Sequence, residues 1–382
     1  MPCPCSAWSG ARHRGIRPLA ATANSALGSR LRGTARLSHR RRFRRRAPEW
    51  IPLASDFQHS RKWFAHFARS CLGEGEEALF ETRCGVLFPM RIGKRWLGPA
   101  PARLLTSLTN YYSTTFALPG LEACADPEEV VEEWALEHRS GALPADRIGF
   151  EALDPDSRSF AALKSGLARA GYWIKTYPHF INRFLTLDGA SFESYWAARD
   201  ARLRNTVDRK AKALLRQFGA TIERYVSARH AGEATQLYQQ VYERSWKSAE
   251  PFAGFIPGLI RSVLAAGSGE VAILRAAGQP VAAQIWLYGG QTATIFKLAH
   301  DESWDRFSPG SVLTRHIMEA AFRAGRFTEI DLGRGDDSYK RLWLPQQRWR
   351  WGIAAYHPRR LGGAWLAARN LLPRLVRRRT LV

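Results

Sequence analysis

Residues Glu329–Trp343 read EIDLGRGDDSYKRLW. The run starts as a strand, with Phe327–Leu332 the extended stretch that delivers it, and passes through Gly333 and Gly335. It then places Asp336, Asp337, Tyr339 and the basic residues Arg334, Lys340 and Arg341 within a few positions, and closes on Trp343. A solvated turn and the working end of an active site both fit such a run, because both gather polar groups at a strand terminus.

The surroundings of this stretch read as an α/β unit. Phe192–Phe218 has the length and pattern of one basic helix, carrying Arg199, Arg202, Arg204, Arg209, Lys210, Lys212 and Arg216 and ending at Gly219. Thr221–Val226 is a strand, and Gly232–Lys247 and Ile256–Ala266 are helices. Three strands follow, Val271–Ala276, Val281–Tyr288 and Thr292–Ala299, separated by the hairpin punctuation of Gly278-Gln279-Pro280 and Gly289-Gly290. Ser308-Pro309-Gly310-Ser311 introduces a helix over Val312–Ala324, and Trp349–Tyr356 is a last strand.

The first half carries a looser version of the same order. A helix ends near Gly73, and strands flank a turn at Gly85 between Ala78 and Ile92. Trp96-Leu97-Gly98 is read as opening a further strand, and Leu104–Leu108 leads into Asn110-Tyr111-Tyr112-Ser113. Asp126-Pro127-Glu128 starts a helix, with proline in the first turn and acids at the positive end of the dipole. A strand at Ile148–Leu153, a helix at Ser157–Ala170 and an extended stretch at Tyr172–Leu187, interrupted by Pro178, complete it. The predicted fold class is mixed α/β (α+β) with two tandem lobes, each a mostly antiparallel central sheet flanked by helices.

The chain has 382 residues, more than a single core usually serves. Its division is read as an Arg-rich extension without fixed structure at 1–49, lobes at 50–188 and 189–358, and a basic tail at 359–382. Of the formal net charge of +23, +11 falls in residues 1–50 and +7 in 352–382, which leaves +5 for the body. A basic body would point to nucleic acid; basic tails on a nearly neutral body are weaker evidence and also suit an anionic membrane. The extension has an organellar transit-peptide composition as well as that of a floppy leader.

Five cysteines without regular spacing predict neither a disulfide framework nor a metal site, and suit a reducing compartment. No apolar run approaches the roughly 18 residues of a membrane span. The expected location is cytoplasmic, with peripheral attachment at the inner face of the membrane through Trp365–Arg379, although Pro373 is read as breaking that helix. There is no Ser-His-Asp order, H-x-x-x-H pair or G-x-G-x-x-G motif, so hydrolase, metalloenzyme and dinucleotide readings have no foothold.

The second half resembles the GNAT acyltransferases, in the branch called BioF2-like or CelD-like acetyltransferases, which is related to the FemAB peptidyltransferases. Asp331–Trp343 is similar to that branch's D-x-x-x-G-D-x-x-Y-K-x-x-W signature. Phe296–Asp301 followed by Ser308-Pro309-Gly310, Leu203–Lys210, and Ser107–Tyr112 are similar to further stretches in the same order. The phosphate loop departs from the usual R/Q-x-x-G-x-G/A pattern, with Arg306-Phe-Ser-Pro-Gly-Ser311 in its place.

The resemblance implies a GNAT-type N-acetyltransferase that takes acetyl-CoA or another acyl-CoA as co-substrate, without a metal. The acceptor it implies is a small molecule or glycan, such as an amino sugar or a polysaccharide precursor. Leu298 and Ala299 would offer main-chain groups to the thioester arm, and Ser308, Pro309, Gly310 and Ser311 a helix N-terminus to its phosphates. Asp331 or Asp336 would remove a proton, with Asp337 equally placed by sequence; Tyr339 would protonate the leaving thiolate; Lys340 would hold an anionic group or pair with Asp336 or Asp337. Arg334, Tyr111 and Tyr112 are the candidate substrate residues, with core packing the alternative for both tyrosines. Two other functions stay open: a FemAB-like transferase using aminoacyl-tRNA, and a non-enzymatic polyanion or membrane adaptor on a degenerate GNAT fold.

Overall fold

The computed structural model describes residues 56–96, 101–141 and 144–379, and these belong to one compact unit, Ala54–Val382. The extension 1–49, with Cys3 and Cys5, and the Leu97-Gly98 pair lie outside the described residues. In chain order the elements of the first half are α1 (Arg61–Ser70), β1 (Glu77–Arg83), β2 (Val86–Trp96), β3 (Pro101–Ser107), α2 (Pro127–Ser140), β4 (Arg147–Leu153), α3 (Arg158–Arg169) and β5 (Trp173–Thr186). Then come α4 (Phe192–Ala197), α5 (Ala201–Phe218), β6 (Thr221–Tyr225), α6 (Ala231–Glu243), α7 (Phe255–Ala266), β7 (Gly269–Ala276), β8 (Gln279–Gly289) and β9 (Thr292–His300). Last are α8 (Pro309–Arg323), β10 (Glu329–Arg334), α9 (Ser338–Trp343), β11 (Gln346–Tyr356) and α10 (Leu361–Arg379).

All eleven strands join one mixed, mostly antiparallel sheet in the order β1-β2-β3-β4-β11-β5-β10-β9-β8-β7-β6. The order contains an internal echo. In the first half β2 and β3 are antiparallel, β3 and β4 parallel, and β4 is followed by antiparallel β11. In the second half β8 and β9 are antiparallel, β9 and β10 parallel, and β10 is followed by antiparallel β5. Each half therefore gives its last strand to the other: β5 pairs with β10, β11 pairs with β4, and β5 and β11 pair with each other at the centre.

The strands of the second half read as continuous apolar runs because both faces are covered. On β7, Val271 and Ile273 pack into the cluster that holds α1, α6 and α7, while Ala272 and Leu274 pack into the cluster that holds α4, α5 and α8. On β8, Ile285 belongs to the first cluster and Trp286 to the second.

Four local expectations are corrected. The single helix over Phe192–Phe218 is two, because Asp200 caps α5 by accepting from the Arg202 amide at 2.7 Å and the Leu203 amide at 3.3 Å. Trp96 ends a strand instead of opening one. Pro178 does not interrupt β5; the strand absorbs it in a bulge, where Phe180 faces Arg350, Pro178 faces Trp351 and His179 is skipped. The α10 backbone continues through Pro373, since a proline removes a single helical hydrogen bond and can kink a helix without ending it. Gly219 ends α5 as read, at φ +57°, with its amide donating to the carbonyls of Leu214 and Leu215.

Candidate active site

The motif Glu329–Trp343 sits where two parallel strands separate. β10 pairs with β9 only at Glu329–Thr292, Ile330–Ala293 and Asp331–Thr294; β9 then runs on alone to His300 on that side. Beyond Asp331 the strand parts from β9 but stays on β5 through a bulge, with Arg334 facing Asn182, and Gly333 and Gly335 take positive φ values of +67° and +101°. Gly333 is further confined by Thr114, whose methyl carbon lies 3.1 Å from where a Cβ would stand. Asp337 then caps α9 by accepting from the Lys340 amide at 3.0 Å, so the polar run is a capped turn of helix and not an open loop.

β9 carries its own irregularity. Lys297 faces Ile285 and Ile295 faces Trp286, which leaves Phe296 as an extra residue, a bulge of the kind that re-aims side chains beside functional sites. The register fixes the faces. Lys297 lies on the face of Ile285, toward α6 and α7. Leu298 and His300 lie on the α8 face: the space beside Gly310 is bounded by Leu298 at 3.5 Å and by the His300 ring at 3.1 Å. Ala299 is fully buried on the other face.

α8 begins at Pro309 after Ser308, which takes a left-handed conformation at φ 49° and provides no side-chain cap. Pro309 and Gly310 are buried, and Ser308 and Ser311 are partly exposed. Tyr339 reaches this helix: its hydroxyl lies 2.7 Å from Thr314 Oγ1. The donors can be assigned. The Trp286 indole, which only donates, gives to Gln284 Oε1 at 2.8 Å, so the Gln284 amide nitrogen faces Thr314 Oγ1, 2.6 Å away. The Thr314 hydroxyl donates to the Gly310 carbonyl at 2.9 Å. Thr314 oxygen thus receives from Gln284 and from Tyr339, whose proton points toward α8.

The two aspartates are held by arginines. Asp331 is buried and accepts from Asn182 at 2.8 Å and from Arg348 at 3.0 Å; Arg348 also grips Glu329 at 2.7 and 2.8 Å. Asp336 accepts from Arg341 at 2.8 Å and Arg183 at 2.6 Å, which hold its carboxyl at about 2. Lys340 folds back onto the Arg334 carbonyl and lies 3.8 Å from Asp337; burial lowers its pKa, opposed by Asp337. Arg334 stacks 4.2 Å from the Phe180 ring and donates to the Asn110 carbonyl at 2.7 Å, which ties β10 to the loop of Tyr111 and Tyr112. Trp343 is fully buried and stacks 5.6 Å from Trp196, a packing anchor for α9.

On the opposite face lies a group that sequence reading missed. Glu250 accepts from Tyr111 at 2.9 Å, from Tyr112 at 2.5 Å and from Lys297 at 2.6 Å. Burial works against the Glu250 carboxylate, but the bonds from Lys297 and Tyr112 outweigh it and hold it below the usual range. Tyr112 is buried and stacked 4.0 Å from Phe255, while Tyr111 is 43% exposed. Lys247 stands in the same group. Burial, then neighbouring Lys297, lower its amine to about 8, and it also feels Glu250, Lys340 and Asp337. The only hint in the sequence is a lysine, Lys297, inside an otherwise apolar strand.

Residues 201–341, from the start of α5 to α9, match the family described as Acetyltransferase (GNAT) domain. That stretch of the second half is similar to a GNAT domain. Among solved structures, FemX is similar over 77% of this chain and 92% of its own, at 12% identity and a TM-score of 0.50. A conserved protein of unknown function from Bacteroides thetaiotaomicron covers 79% of this chain and 92% of its own, at 12% identity and a TM-score of 0.51. A tandem GNAT protein from the clavulanic acid biosynthesis pathway covers 77% and 94%, at 10% identity and a TM-score of 0.40. At these identities the likeness to FemX and to the Bacteroides protein shows the fold alone. No curated protein matches the sequence. Among the described residues no helix is long and apolar enough to cross a membrane, and no group of three or more His, Cys, Asp or Glu side chains is placed to hold a metal ion.

Proposed function

We propose that this protein is a GNAT-type N-acyltransferase that moves an acyl group from acyl-CoA, with acetyl-CoA the first candidate, to an amine on a small molecule or glycan such as an amino sugar or polysaccharide precursor. The observation that carries the reading is the position of Tyr339. Its hydroxyl is pinned to Thr314 on the first turns of α8, where β9 leaves β10 and a helix N-terminus faces the gap. Helix N-termini favour phosphates, and an unpaired strand edge offers main-chain groups to a thioester arm.

In this reading the donor lies on the α8 side, against Leu298, the main chain of Ala299 and Ser308–Ser311. The neutral acceptor amine attacks the thioester carbonyl; a C–N bond forms, the C–S bond breaks, the thiolate takes the Tyr339 phenol proton, and the surplus proton on nitrogen passes through solvent to the phenolate. Rotation of the Tyr339 phenol about its C–O bond re-aims that proton from Thr314 to the leaving sulfur. Lys340 offsets negative charge that develops at the carbonyl oxygen. Asp331 and Asp336, each engaged by arginines, position the motif. The setting proposed is the cytoplasm, with the basic α10 segment against an anionic membrane surface.

A second reading, transfer from aminoacyl-tRNA, draws on the basic residues of α5, of which Arg209, Lys212 and Arg216 border a groove of about 540 Å³. Calorimetric titration with acetyl-CoA beside a tRNA filter-binding assay separates them. Stoichiometric acetyl-CoA binding is expected. Salt-dependent tRNA binding without it supports the second reading, and binding of neither supports an adaptor role.

A further inference from the structure

The first half holds an open cavity of about 520 Å³, bordered by Leu79, Glu81, Ile92, Arg103, Leu105 and His138. Strand register puts the first five on the α2 face: Glu81 faces Phe88, Leu79 faces Met90, Ile92 faces Leu105 and Arg103 faces Lys94. Trp134 of α2 stacks 4.4 Å from Phe88 and closes one end. At about 3.4 Å per residue these rows set Arg103 and Glu81 about 20 Å apart along the strands, with Leu79, Ile92 and Leu105 as an apolar floor between them. In the second half α5 lies beside α8 and over β7. Among the described residues no helix takes that place beside α2; α1 packs instead on α7, where the Trp63 and Phe255 rings are 5.6 Å apart.

The two ends differ in charge. At one, Glu81 accepts from the Trp134 indole and from His138 Nε2, each at 2.7 Å. His138 therefore carries its proton on Nε2, and its Nδ1 takes no hydrogen bond among the described residues. Glu137 on α2 pairs with Arg83, and Glu77 is exposed at the outer edge. At the other end Arg103 and Lys94 stand directly opposite each other, two like charges in one cross-strand pair. Neither side chain has an ion pair or hydrogen bond among the described residues. The neighbouring Asp146 carboxylate is taken by the Arg103 amide at 2.7 Å and by Arg360 at 2.8 Å.

We propose that this cavity is a second ligand site, for a small carboxylic acid with an extended apolar body. The carboxylate lies between Arg103 and Lys94 and offsets their repulsion, with the guanidinium supplying paired N–H donors. The body covers Leu105, Ile92 and Leu79, where burial is favourable in proportion to apolar area. A hydroxyl or amine at the far end of the ligand donates to His138 Nδ1. The site does not depend on the transferase reading of the second half.

The test is calorimetry of the full chain with sodium octanoate, beside 1-octanol as the uncharged control. Octanoate is expected to bind at one site, and the alcohol about tenfold or more weakly. R103Q should bring octanoate down to the level of the alcohol. L79W, on the half-exposed edge strand β1, should fill the floor and abolish binding of both. Hydrogen–deuterium exchange of the unaltered chain locates the acid without any variant: octanoate should slow exchange in peptides covering 77–83 and 101–107. Equal affinity for acid and alcohol, or unchanged octanoate binding in R103Q, overturns the anion end. Retained octanoate binding in folded L79W, or protection confined to the second half, overturns the location. No octanoate binding to the unaltered chain, as when the chain itself fills the cavity, overturns the site. Saturating acetyl-CoA should leave octanoate affinity unchanged; competition between them puts the acid in the second half and overturns the proposal. If the unaltered chain ignores acetyl-CoA yet binds octanoate as described, the transferase reading fails and this site stands.

Discussion

Tyr339 on α9 gives its hydroxyl proton to Thr314 on α8, across 2.7 Å and 25 residues of chain. The direction is set by Trp286 and Gln284 behind it, all within one buried polar chain. Tyr339→Phe is expected to fold and to lower kcat on the order of 10²-fold, the usual worth of a positioned proton donor. Thr314→Val leaves both the Gln284 amide and the Tyr339 hydroxyl without their shared acceptor, and should cost about 1–3 kcal/mol of stability as well as activity. Thr314→Ser keeps the oxygen and should restore both. Full turnover by Tyr339→Phe on an identified substrate would remove Tyr339 from the chemistry.

Asp336 predicts an acid signature. Arg341 and Arg183 hold its folded pKa at about 2, below the roughly 3.9 of an unfolded aspartate. The stabilisation from this carboxylate is complete above the unfolded value and is lost as pH falls from about 4 toward 2. Asp336→Asn should therefore flatten the dependence of Tm on pH across that window, with little change in its slope above pH 5. Parallel curves for the two proteins in acid would show that the arginines do not act on Asp336 as described.

Glu250 and Lys297 predict a coupling. The pair is largely enclosed, and its carboxylate also receives Tyr111 and Tyr112. Glu250→Gln leaves an ammonium without its counter-charge and should lower stability by about 2–3 kcal/mol, because breaking such a pair from one side exposes the other's desolvation cost. Lys297→Met combined with Glu250→Gln should recover most of that loss. Additive losses in the double variant would mean that the two side chains do not interact.

Much of the fold was legible because local signals agree. Gly219, the Pro127 helix start and the hairpin glycines each end or begin an element where they were read to do so. The exchange of β5 and β11 was not legible, since a period of two identifies a strand and its buried face but not its neighbour. The motif at 329–343 announced itself because its polar groups are consecutive. Lys247, Glu250 and Lys297 did not, because Tyr111 and Tyr112 lie well over a hundred residues from their carboxylate partner. Nor can sequence show that Asp331 is occupied by Arg348 of β11, or Asp336 by Arg183 of β5 as well as by its neighbour Arg341.

The central claim is that the backbone from Ile295 to Ser311 cradles a thioester donor beneath Tyr339. Hydrogen–deuterium exchange of the full chain with and without saturating acetyl-CoA reads that backbone directly. The account predicts slowed exchange in peptides covering 295–300 and 309–314, with the outer β1–β3 hairpins unchanged. Unchanged exchange in both peptides, or protection confined to the first half, would contradict it.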